Sequence, residues 1–155
     1  MDSEFAAPEL LTRLAAQALE QAADPHSHAA ASRTLETIYL DFGHQGMYFT
    51  FMMWVDLSLN AMRAELLEDG TRRLRSRSFI ETCVSFAEWV NPPAAWAGQL
   101  VLARADWDHA RCAELYESVR CCGSEEYANN CVLALVEFTV VAATLGEEAS
   151  RYDAP

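Results

Sequence analysis

Apolar positions along the chain recur at helical spacing, and glycine and proline fall between the periodic segments. A first helix is expected over residues 8–23, with Pro8 in its first turn and a stripe of Leu11, Leu14, Ala15, Ala18 and Ala22. Asp24 to His28 break it. A second helix carries Leu35, Ile38, Tyr39 and Phe42 at i, i+3, i+4, i+7 and is expected to stop near Gly43.

The third helix, expected over 45–68, is unusual. Met47, Tyr48, Phe49, Phe51, Met52, Met53, Trp54 and Val55 leave it no polar face for two turns. Such a helix is buried all round or covered by a partner. Its second half becomes amphipathic, with Leu59, Met62, Leu66 and Leu67 on one side. Strand-like alternation is hard to find anywhere.

After an arginine-rich connector, Ser78-Phe79-Ile80-Glu81 fits a capping box. It should open a helix to about Val90 that buries Phe79, Cys83, Phe86 and Val90. Asn91-Pro92-Pro93 is the strongest break in the chain and is read as a tight turn within one domain. Trp96, Leu100, Ala103 and Trp107 mark the next helix, Asp106-Trp107-Asp108 a turn, and 108–121 another helix. Ser124 caps a last helix with Glu125 and Glu126 in its first turn, where the helix dipole favours anions. Its expected stripe is Val132, Leu135, Val136, Thr139, Val140 and Ala143, with Gly146 as its end.

Residues 98–117, through Asp106-Trp107-Asp108 and Leu115-Tyr116-Glu117, are similar to one tetratricopeptide helical hairpin. No second copy follows at the period of about 34, and an array needs about three, so that family is not assigned.

Composition narrows the picture. With 155 residues and 52% hydrophobic content, one domain with a full core is expected, ordered over about 8–146 with a frayed tail at 147–155. Eleven basic residues, all arginine, stand against 23 acidic ones, for a net charge of −12. That balance disfavours nucleic acid and anionic membrane surfaces as partners, because both need a basic face. The apolar run 47–55 is shorter than the ~20 residues a membrane span needs, and the acidic N-terminus lacks a signal core. Five cysteines, an odd number without a CxxC pair, suggest free thiols in a reducing cytoplasm. Cys83 and Cys131 sit in apolar stretches and read as core residues.

Candidate chemistry is sparse. His26-x-His28 lies in a polar loop, and Asp106, Asp108, His109 and Cys112 cluster without a recognised metal spacing. Cys121-Cys122 precede a helix N-terminus that lowers a thiolate's pKa, but glutamates nearby oppose it. No catalytic triad or hydrolase elbow is present. No catalytic residue, metal site or cofactor is assigned. Asp56, just after the apolar run, is either the polar anchor of a pocket lined by Tyr48, Met52 and Met53 or the partner of an arginine. Arg72, Arg73, Arg75 and Arg77 form a basic patch able to bind an acidic group or to fold back on the chain's own carboxylates.

The expectation is an all-α, single-domain bundle of six or seven helices around a central apolar helix. Its expected role is that of a non-enzymatic, acidic, cytoplasmic protein-interaction or regulatory module that forms a homodimer. Tyr48, Phe49, Met52, Met53, Trp54 and Asp56 are the candidate contact residues. The alternative is a sensor or enzyme that holds an apolar small molecule in an interhelical pocket around the same helix.

Overall fold

A computed structural model describes the backbone of residues 2–153, with side chains over 8–142 and at Thr144. The fold is all-α. Six helices carry the described chain: α1 (Asp2–Ala23), α2 (His28–Ala61), α3 (Arg77–Val90), α4 (Pro92–Ala105), α5 (His109–Arg120) and α6 (Glu125–Asp153). A single 3₁₀ turn, Pro25–Ser27, links α1 to α2. The expectation of little strand holds but for a two-residue hairpin, β1 (Glu65–Leu66) and β2 (Arg72–Arg73), paired antiparallel. No described helix is long and apolar enough to cross a membrane. The chain divides into two compact units, Met1–Trp54 and Val55–Pro155.

In the first unit, α1 starts earlier than expected, so Pro8 lies inside the helix, where it donates no backbone hydrogen bond. The buried stripe is alanine-rich: Ala15, Ala18 and Ala22, with Leu11 and Leu14 half-buried beside them. These small residues leave the α1 backbone within reach of α2. The Trp54 indole N–H donates to the Ala15 carbonyl at 2.9 Å, and the Thr34 hydroxyl lies 2.7 Å from Gln21 Oε1. Gly43 does not end the helix but breaks it. Its φ of 68° and ψ of −158° lie where only glycine rests without strain, and the helical path resumes beyond it. Gly46 sits just past the break, where a Cβ would collide with the Cβ of Phe42.

In the second unit, α4 touches α3, α5 and α6. Its run of Ala95, Trp96, Ala97, Gly98, Leu100, Val101, Ala103 and Ala105 is buried. Gly98 allows the closest approach, because a Cβ there would collide with Val84 Cγ2 of α3. The Trp96 indole N–H donates to the Leu115 carbonyl of α5 at 2.9 Å. Ser58, fully buried in the last turns of α2, donates to the Thr139 hydroxyl of α6 at 3.0 Å, which donates in turn to the Leu135 carbonyl. Side-chain caps open α4, α5 and α6. Asn91 accepts from Ala94 N–H, Asp108 from Arg111 N–H and Ser124 from Tyr127 N–H.

Four expectations are corrected. The helix over 45–68 ends at Ala61, because Arg63 takes a left-handed φ of 58° and the chain enters the hairpin. Leu66 is therefore exposed. The capping box at Ser78 does not form, since α3 begins at Arg77 and Glu81 pairs with Arg77 instead. The last helix runs through Gly146 to Asp153, and Val140 on its expected stripe is exposed. The Ala143 side chain and those of 147–155 lie outside the described residues.

The fourth correction reverses α3. Its buried residues are Ile80 and Val84, with Ala87 half-buried, while Phe79, Cys83, Phe86 and Val90 face outward. Both stripes have helical spacing. The approach at Gly98 decides between them, because it admits only the smaller stripe against α4.

Candidate interaction surface

The contact residues expected on the apolar helix do not share one environment. Trp54 is fully buried with its N–H used by Ala15, and Met52 is buried. Tyr48 and Met53 are half-buried, and Phe49 is 40% exposed. Asp56 is held by an arginine. Arg104 of α4 donates from Nε to Oδ1 at 2.9 Å and from Nη2 to Oδ2 at 3.1 Å. The same guanidinium lies 4.8 Å from the centroid of the Trp107 ring. Two hydrogen bonds and an ion pair occupy the carboxylate, so its polarity serves the fold.

The basic patch also turns inward. Arg77 grips Asp106 with both Nη atoms, at 2.7 and 2.9 Å, and donates from Nε to Glu81 at 2.8 Å. Asp106 accordingly raises the Arg77 pKa further above its ordinary value. Arg72 donates to Asn60 Oδ1 at 2.6 Å, and Arg73 lies 3.9 Å from Glu65 across the hairpin. Arg75 is exposed and also has an interaction of its own. The hairpin turn carries a further local bond. Asp69 accepts from the hydroxyl and backbone N–H of Thr71, which lowers its carboxyl pKa.

The thiols divide into two classes. Cys112 and Cys131 are buried, and burial raises both thiol pKa values, opposed at Cys112 by the charge of Arg104. Cys83, Cys121 and Cys122 are exposed. Cys121 Sγ lies 3.7 Å from Glu117 Oε2, and Cys122 Sγ 3.2 Å from the Ser124 carbonyl. His109 packs edge-on against Trp107 at 4.5 Å, while Cys112 faces the core. Among the described residues no three His, Cys, Asp or Glu side chains converge on a metal-sized site.

The outer face of α3 stands apart from these internally satisfied groups. Phe79 is 59% exposed, Phe86 69%, Trp89 89% and Val90 63%, with Cys83 between the two phenylalanines. Positions 79, 83, 86 and 90 form one stripe at i, i+4, i+7, i+11, and Trp89 stands at its edge. Fully covered aromatic side chains bury roughly 150–250 Å² each, so the three rings expose on the order of 400–500 Å². That area is comparable with the largest apolar patch on a typical folded monomer, and such patches often serve contacts. Sequence reasoning assigned Phe79, Phe86 and Val90 to the core and left Trp89 unassigned. The signal was there: α3 carries two helical stripes, more apolar surface than one neighbouring helix covers.

Compared with family models, curated proteins and solved structures, the chain finds no match in any of the three.

Proposed function

We propose that this chain is a non-enzymatic protein-interaction module whose docking element is the outer face of α3. The observation that carries this reading is the exposure of Phe79, Phe86, Trp89 and Val90 on one ordered helix. Tryptophan and other aromatics dominate contact energetics because they remove large areas from water at little conformational cost. The face lies on a regular helix whose other side packs on α4, so docking orders little backbone that is not already ordered.

The rest of the proposal follows from charge and thiols. The net charge of −12 keeps phosphate-rich partners away. The five cysteines, all free, suit a reducing cytoplasm. The internal pairing of Asp56 and of Arg77 leaves those charges to stabilise the fold.

The reading is tested by placing a photo-crosslinking side chain at Thr82, exposed beside the stripe, in cells that make the protein. Polypeptide adducts that disappear when Phe86 and Trp89 are changed to serine support the module. Irradiation that yields no polypeptide adduct overturns it.

A further inference from the structure

We draw no further inference here: the strongest candidate, the outward apolar face of α3 around Phe79, Phe86 and Trp89, belongs to the interaction surface already described, and nothing in the structure shows what covers it.

Discussion

Arg104 and Asp56, 48 positions apart, meet through two parallel hydrogen bonds of 2.9 and 3.1 Å, with side chains 18% and 35% exposed. The pair ties the last turns of α2 to α4 within the second unit. Removing Asp56 (Asp56→Ala) should cost about 1–2 kcal/mol, between the values for exposed and buried pairs. Arg104→Ala should cost more, because its stacking on Trp107 adds about 0.5–1 kcal/mol. Urea denaturation of both single variants and the double variant checks this. A coupling energy near zero would remove the pair from the account.

The break at Gly43 makes a second prediction. No atom lies within 4 Å of a Cβ built there, so Gly43→Ala probes backbone conformation alone. With φ at 68° and ψ at −158°, alanine should cost about 1–3 kcal/mol in denaturant unfolding. A neutral substitution would show that the helix can run straight through this point.

Much of this fold was legible in the pattern of residues. Ser124 caps the helix that the sequence assigns it, and Ala15, Ala18 and Ala22 are buried as their spacing implies. What failed was decided by distant contacts. Periodicity cannot say which of two stripes on α3 is inward, because that choice depends on Gly98 in the next helix. Nor does a local window show that Arg63 turns to positive φ and ends α2 before Leu66 and Leu67, which continue its apolar spacing. The exposure of the candidate residues was illegible for the same reason. The most apolar segment, around Trp54, is apolar because much of it is buried, whereas the exposed aromatics sit on a helix of ordinary composition.

Gly98 therefore deserves a direct test. Gly98→Ala should destabilise by about 1–3 kcal/mol through overpacking against Val84. In a Val84→Ala background the added methyl group has room, so its cost should shrink by more than half. Equal costs in both backgrounds would mean that Val84 does not limit the approach of α3 to α4.

The buried thiols predict a pH dependence. Burial raises Cys112 and Cys131, so above the ordinary thiol value of about 8.5 the unfolded chain loses protons that the folded chain keeps. Their contribution is fully present below that pH and is lost as pH rises towards the folded values. Denaturation midpoints measured from pH 7 to 10 should fall, and the Cys112→Ala, Cys131→Ala variant should show a shallower fall. An identical slope in the two proteins would contradict the assignment. A thiol-labelling reagent at pH 8 should modify Cys83, Cys121 and Cys122 quickly and the other two only on unfolding.

The most direct test of the α3 face is residue-resolved hydroxyl-radical labelling of the full chain in dilute solution. Phe79, Phe86 and Trp89 should be among the most heavily labelled side chains, while Trp54 and Trp96 stay protected. Labelling of the α3 aromatics as weak as that of Trp54 and Trp96 would contradict the account.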